Sequence, residues 1–129
     1  MSILNLMTDV GVANFHVTAR NGLAADLSWV TGIVVPTGVT IECIDLGWRT
    51  DVQARRLDEE VTVVGDLRTS ERVILASPVD SPLVEFALLV MEQRLRVPWT
   101  GQRPFGETPS ALQLLAESTG ARWLPPLAT

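Results

Sequence analysis

The chain has 129 residues, of which 47% are hydrophobic and 19% are charged, and its formal net charge is −5. This length predicts a single domain over residues 1–129 with its own core, and this composition excludes an intrinsically disordered chain. No apolar run approaches the ~20 residues of a membrane-spanning helix, so we expect no membrane segment. Residues 1–6 lack the basic and apolar regions of a signal peptide, so we expect none.

The balance of charges restricts the partners. Asp and Glu number 15 against 10 basic residues. This negative excess opposes binding to nucleic-acid phosphates and to anionic membrane surfaces, so we expect neither nucleic acid nor membrane as a partner. Every basic residue is an arginine and tyrosine is absent, which is typical of a bacterial-like, GC-rich genome.

Residue types that often carry catalysis are scarce. His16 and Cys43 are the only histidine and the only cysteine, which excludes Cys2His2 and three-histidine metal sites. The absence of lysine excludes a Schiff base and a P-loop. A single cysteine forms no internal disulfide, which fits a reducing cytoplasm. We therefore expect no metal, no cofactor and no catalytic residue, and a non-enzymatic function is favoured over an enzyme.

Alternating and β-branched patterns predict a sheet in the first part of the chain. Residues 14–20 alternate cleanly and lead into an Asn21-Gly22 turn. Further strands are predicted over residues 27–35, 39–46, 61–67 and 72–76. The short loops joining the first three strands favour an antiparallel meander. Residues 47–60 fit two structures, a short helix from Asp51 with Thr50 as its cap, or an exposed edge strand over residues 48–56.

Two helices are predicted after these strands. Ser81-Pro82 is a start signal for a helix over residues 83–96, and Thr108-Pro109 starts a second helix that ends at Gly120. Residues 122–127 predict a short strand that leads into an extended tail. Strands followed by helices define an α+β fold: an antiparallel sheet of about five strands followed by two C-terminal helices packed on one face.

The candidate partner-binding residues lie in and before the loop between the two helices. Residues 97–107 form an unusually long connection that contains Trp99, Arg103 and Phe105, which are side-chain types found at binding hot spots. The alternative is that Trp99 and Phe105 fold back to cover the underside of the helices. Leu89 interrupts the polar stripe of the first helix, which is otherwise apolar on most sides. We therefore expect a homodimer in which this helix or a nearby sheet edge contributes to the interface.

Two classes of function remain open from the sequence. The favoured one is a cytoplasmic, non-enzymatic protein-interaction module of the adaptor, immunity or accessory-assembly kind. The alternative is a small α+β enzyme or ligand-binding protein whose pocket uses His16 with Glu42 or Asp45. Because Glu42 and Asp45 are three residues apart in a predicted strand, they should face opposite sides of the sheet. Cys43 lies mid-strand, where a free cysteine is typically a core residue rather than a nucleophile paired with His16.

Overall fold

The computed structural model describes the backbone of residues 2–8 and 11–19, and residues 33–75, 81–97, 99–103 and 108–127 together with their side chains. Within these ranges the chain forms seven strands and two helices. In chain order they are β1 (Ser2–Thr8), β2 (Gly11–Ala19), β3 (Thr40–Asp45), β4 (Arg49–Arg56), β5 (Glu59–Asp66), β6 (Arg72–Leu75), α1 (Pro82–Leu95), α2 (Ala111–Thr119) and β7 (Arg122–Leu124).

The strands form one sheet whose spatial order follows the chain from β1 to β7. The five strands from β3 to β7 are antiparallel, which confirms the predicted α+β class, and β7 joins the edge of the sheet after both helices. β2 and β3, however, are parallel. The predicted meander is wrong at this pair, because the connection over residues 20–39 is long enough for a crossover.

The strand predicted over residues 27–35 lies mostly outside the described residues. Of its last part, Ile33 and Val35 are buried and Val34 is exposed, and none of the three belongs to a strand. Their alternating burial shows that an extended segment reaches the core without joining the sheet, because side chains on opposite sides of an extended backbone meet different surroundings.

The ambiguous segment over residues 47–60 contains strand β4, so the helix alternative is wrong. Thr50, Val52 and Ala54 are fully buried on one side of β4. On the other side, the Arg49 guanidinium pairs with the Asp51 carboxylate at 2.8 Å. β4 is also an interior strand between β3 and β5 rather than an edge. This period of two, which predicts a strand, outweighs the capping signal at Thr50.

Both helices begin at a serine that caps the helix N-terminus. The Ser81 hydroxyl accepts a hydrogen bond from the Leu83 amide, with Pro82 in the first turn, as the sequence predicts. The second helix begins two residues later than the Thr108-Pro109 signal indicates, because the cap is Ser110, whose hydroxyl accepts from the Gln113 amide at 3.0 Å. Its predicted end is confirmed at Gly120, which has the left-handed φ of +69° that glycine adopts without strain.

The two helices cover opposite faces of the sheet rather than one. In β5, Val63 belongs to the core cluster beneath α1, whereas its neighbour Val64 belongs to a smaller cluster with Leu112 and Ala116 of α2. Adjacent residues of a strand point to opposite faces, so β5 is enclosed from both sides. The prediction of two helices on one face is corrected here, since the sequence indicates that each helix has apolar side chains to bury but not which face of the sheet it covers.

A buried arginine ties three elements together on the α1 side. The Arg72 guanidinium pairs with the Glu92 carboxylate of α1 at 2.9 Å and donates to the Pro125 carbonyl at 2.9 Å. Gly65, the register partner of Arg72, lies directly beneath the Met91 side chain, where a Cβ atom would overlap the methionine sulfur. The C-terminal part of α1 therefore rests on a strand position that has no side chain.

We expect α2 to open more easily than α1, because two buried residues anchor α2 and six anchor α1. Leu112→Ala should remove about 2–5 kcal/mol of local packing free energy and abolish amide protection in α2. Hydrogen exchange measured by NMR checks this. Equal loss of protection in α1 and α2 would contradict two separately anchored helices.

Candidate functional site

The predicted binding loop is folded partly onto itself. Trp99 is half-buried, its indole Nε1 donates to the Gln102 carbonyl at 3.4 Å, and its ring lies against Gly101, where a Cβ atom would overlap the indole. This contact leaves one face of the tryptophan occupied by its own loop. Trp99 therefore offers a partner less surface than a free indole would.

Arg103 lies at the exposed end of the described part of this loop, and Phe105 lies outside the described residues. The Arg103 Nη1 donates to the Arg68 carbonyl at 3.0 Å, which joins the loop to the turn between β5 and β6. The Arg68 guanidinium lies over the Trp48 ring, 4.1 Å from its centroid, in a cation–π arrangement. The structure thus adds Trp48 and Arg68 to the surface near Arg103. These residues are far from Arg103 in the sequence, so the sequence alone does not indicate that they are neighbours.

Leu89 occupies the place in α1 that the sequence predicts. Its side chain is 46% exposed, and it lies between the exposed Glu85 and the half-buried Glu92 and Gln93. The other apolar side chains of α1 are buried or half-buried within this single chain. The unusual apolarity of α1 is therefore mostly accounted for by the sheet, and Leu89 is the apolar side chain of this helix that remains exposed.

The turn between β5 and β6 contains a fully buried carboxylate. Asp66 Oδ1 accepts hydrogen bonds from the backbone amides of Arg68 and Thr69, and its Oδ2 accepts from the Arg68 guanidinium at 2.9 Å. The hydrogen bond to Asp66, followed by its negative charge, raises the pKa of Arg68 above its ordinary value. Asp66 is engaged on both oxygens, so it holds the turn and is unsuited to act as a free base.

A second buried carboxylate connects the turn to α2 and β7. Glu71 is 5% exposed, and its Oε2 accepts from the Ser110 hydroxyl at 2.6 Å and from the Trp123 indole at 2.8 Å. Asp66 and Glu71 line a polar cleft of about 460 Å³ beside the N-terminus of α2. The hydrogen bonds of Glu71 give it an architectural role that fixes α2 and the C-terminal strand against the sheet.

The strongest candidate site is a second cleft, which we call the hairpin–helix cleft, between the β4–β5 turn and the start of α1. Its volume is about 390 Å³. Its floor is apolar, because Val39, Leu83 and Phe86 are buried there. The cleft is lined by Pro36, Val39, Arg56, Leu57, Asp58, Glu59, Pro82, Leu83 and Phe86. Apolar walls with a few charged groups at the rim are typical of binding clefts.

Leu57 at the rim of this cleft is unfavourable in two respects. Its side chain is 96% exposed, and its φ is +55°. Together with Asp58 it forms a two-residue connection in which Arg56 pairs with Glu59, and glycine or asparagine is favoured wherever such a turn needs positive φ. A bulky residue in this region of φ costs about 1–3 kcal/mol. This turn is not predicted from the sequence because Leu57-Asp58 lacks a turn glycine or asparagine.

The alternative hypothesis predicts a pocket that uses His16 with Glu42 or Asp45, and the structure brings only some of these residues together. The β2–β3 register places His16 opposite Glu42 on the neighbouring strand. Asp45, by contrast, is engaged on the α1 side, where it accepts from the Thr50 hydroxyl at 2.7 Å and pairs with the Arg94 guanidinium at 3.3 Å. Glu42 and Asp45 lie on opposite faces of β3, as their spacing predicts. Neither carboxylate lines either of the two clefts.

Cys43 is a core residue. It is buried within the α1-side cluster. Burial, aided by the negative charge of Asp45, raises the pKa of its thiol far above the ordinary value. The thiolate needed for nucleophilic attack is therefore disfavoured. Within the part of the chain that the structure describes, no three His, Cys, Asp or Glu residues are grouped to hold a metal ion.

Comparison of the chain with protein-family models, with curated proteins and with solved structures finds no match. Among the described residues, no helix has both the length and the apolarity to cross a membrane.

We expect Cys43 to resist thiol reagents in the folded protein and to react once the protein unfolds. The unfolded thiol ionises with its ordinary pKa of 9.0, whereas the folded thiol keeps its proton. Above that pH the folded state binds more protons than the unfolded state, so the wild type should lose stability relative to Cys43→Ala. Disulfide-exchange labelling at pH 8 and urea titrations from pH 7 to 10 measure both effects. Rapid labelling without unfolding would show a reactive thiol.

Proposed function

We propose that this protein is a non-enzymatic protein-interaction module, of the adaptor, immunity or accessory-assembly kind, that receives a partner in the hairpin–helix cleft. The observation that carries the proposal is Leu57. A leucine that is almost fully exposed and held at positive φ destabilises the folded state of the isolated chain. Binding that buries this side chain would recover about 1.5–3 kcal/mol.

The architecture of the cleft supports this function. The Ser81 hydroxyl donates to the Glu59 carboxylate at 2.8 Å while it caps α1, so the hairpin and the helix that form the two walls are joined directly. A cleft whose walls are joined in this way is preorganised, which reduces the entropy lost when a partner binds. The apolar floor and the charged rim match the core and rim of protein interfaces.

The loop that the sequence singles out provides a second contact surface in this proposal. Arg103 and Trp99 are residue types that are common at binding hot spots. The Arg68–Trp48 stack lies beside Arg103, because the Arg103 guanidinium donates a hydrogen bond to the Arg68 carbonyl. Phe105 is included in the proposed surface because phenylalanine is one of the residue types found at binding hot spots. Because Trp99 packs on Gly101, the arginines would provide more of the accessible polar contacts than this tryptophan.

The alternative function is a small enzyme or ligand-binding protein with a pocket near His16. One observation favours it, the β2–β3 register that aligns His16 with Glu42. Against it, Asp45 is committed to Thr50 and Arg94, and the hairpin–helix cleft is formed by other residues. An interaction module agrees with more of the geometry.

The proposed module is cytoplasmic and homodimeric, with Leu89 in the contact between protomers. We expect light scattering to give twice the chain mass at micromolar concentration, and Leu89→Glu to give the monomer mass, because a charge would replace an apolar contact. Leu114→Glu, which changes a leucine of 53% exposure on α2, is the matched control and should leave the dimer intact. A monomer mass for the wild type at all concentrations would contradict the dimer.

We expect Leu57→Asn to stabilise the protein and to weaken partner binding. Asparagine tolerates positive φ, so the melting temperature should rise, by an amount equivalent to about 1 kcal/mol. The same change removes the apolar contact, so a partner identified by affinity capture should be recovered at least about tenfold less. Thermal denaturation and quantitative mass spectrometry measure the two effects.

Leu114→Gln is the matched control for binding, because it changes another exposed leucine on a different element. The partner should be retained by this variant. Loss of the partner in Arg103→Ala with full retention in Leu57→Asn would assign binding to the loop instead of the cleft.

A further inference from the structure

The hairpin–helix cleft combines its apolar floor with an acidic rim. Asp58 and Glu59 line the cleft and are exposed, whereas Arg56 is the one basic residue of its lining. Glu85 is exposed on the same end of α1, next to Phe86 of the floor. The charged residues of the lining leave an excess of one negative charge, and Glu85 adds another in the first turn of α1, outside the lining.

The other charges of the hairpin do not change this balance. Arg55 and Glu60 pair with each other at 3.4 Å, and both are exposed. Glu59 accepts a hydrogen bond from the Ser81 hydroxyl, which is neutral and leaves the carboxylate charge uncompensated. The net charge of −5 over the whole chain adds to the same negative potential.

From this arrangement we infer that the hairpin–helix cleft binds a basic segment of a protein partner, one whose apolar side chains enter the cleft while its arginine or lysine side chains meet Asp58, Glu59 and Glu85. This inference rests on the proposed function and specifies the chemistry of the partner. Complementary charges around an apolar contact accelerate the encounter between the two proteins and disfavour partners whose charge has the same sign as the cleft.

The apolar part of the segment supplies contact area. Leu57 stands at the rim, and Phe86 and Leu83 form part of the floor, so an inserted leucine or phenylalanine side chain would touch apolar groups on several sides. Arg56 at the rim disfavours a basic group immediately beside it. The basic residues of the partner are therefore expected to flank its apolar core and to lie on the Asp58 and Glu85 sides.

The test uses three short peptides that share a Leu-Phe-Leu core and differ in their flanking pairs, which are arginines, glutamates or serines. Titration of each peptide into the isotopically labelled full chain, followed by amide NMR shifts, gives both affinity and location. We expect the arginine peptide to bind about tenfold more tightly than the glutamate peptide and to shift the amides of Val39, Leu57, Asp58 and Phe86.

Two controls test whether charge causes this preference. Raising the salt concentration from 0.05 to about 0.5 M should reduce the ratio between the two affinities to about threefold, because salt screens exposed charges. The triple variant Asp58→Asn/Glu59→Gln/Glu85→Gln should reduce this affinity ratio by a similar amount. The glutamine side chain introduced by Glu59→Gln can still accept the hydrogen bond from the Ser81 hydroxyl. Glu117→Gln, an exposed position on α2, should leave the ratio unchanged.

The outcomes separate this inference from the proposed function. Equal binding of all three peptides in the cleft would overturn the basic-segment inference while supporting an apolar docking site. Tighter binding of the glutamate peptide would also overturn it. Absence of cleft shifts with every peptide would overturn the inference, and retention of the captured partner by Leu57→Asn would separately overturn the proposed function of the cleft.

Discussion

Burial of strand β5 on both faces is the constraint on which the rest of the structure depends. Val61 and Val63 face α1, and Val64 faces α2, so neighbouring residues of one strand belong to different cores. A strand enclosed in this way is an apolar run rather than an alternating one. The two helices must approach from opposite sides, and each is capped by a serine whose hydroxyl also binds a carboxylate of the sheet or its turns, Glu59 or Glu71.

Charged groups at the ends of the sheet fix the helices and the C-terminal strand. Asp66, Glu71 and Arg72 are buried around one turn, and their partners come from the turn itself, from both helices and from the tail. At the opposite end, the β4–β5 hairpin is exposed and keeps an apolar residue in an unfavourable conformation. The molecule thus has one end whose two buried carboxylates are engaged internally, although the buried Arg72 Nε has no hydrogen-bond partner among the described residues, and another end that exposes a leucine at positive φ.

The sequence predicts the local structure well where periodicity and capping agree. β3, β5, β6 and both helices lie close to their predicted ranges, because β-branched alternation and Ser-Pro signals act within a few residues. The parallel β2–β3 pair and the opposite faces of the helices are not predicted, since they depend on contacts between residues far apart in the sequence, and strand β1 is not predicted although it pairs locally with β2. Of the candidate site, Leu89 was found as an isolated exposed leucine, but Leu57 was missed because its φ and exposure exist only once β4 and β5 pair.

Arg72 and Glu71 also bear on how the chain acquires its structure during synthesis. Both lie in the middle of the sequence, yet Glu71 is held by Ser110 and Trp123, and Arg72 by Glu92 and Pro125. When β3 to β6 have left the ribosome, these two charged side chains still await partners that are translated later. The native contacts of this region can therefore be completed only after α2 and β7 have been synthesised.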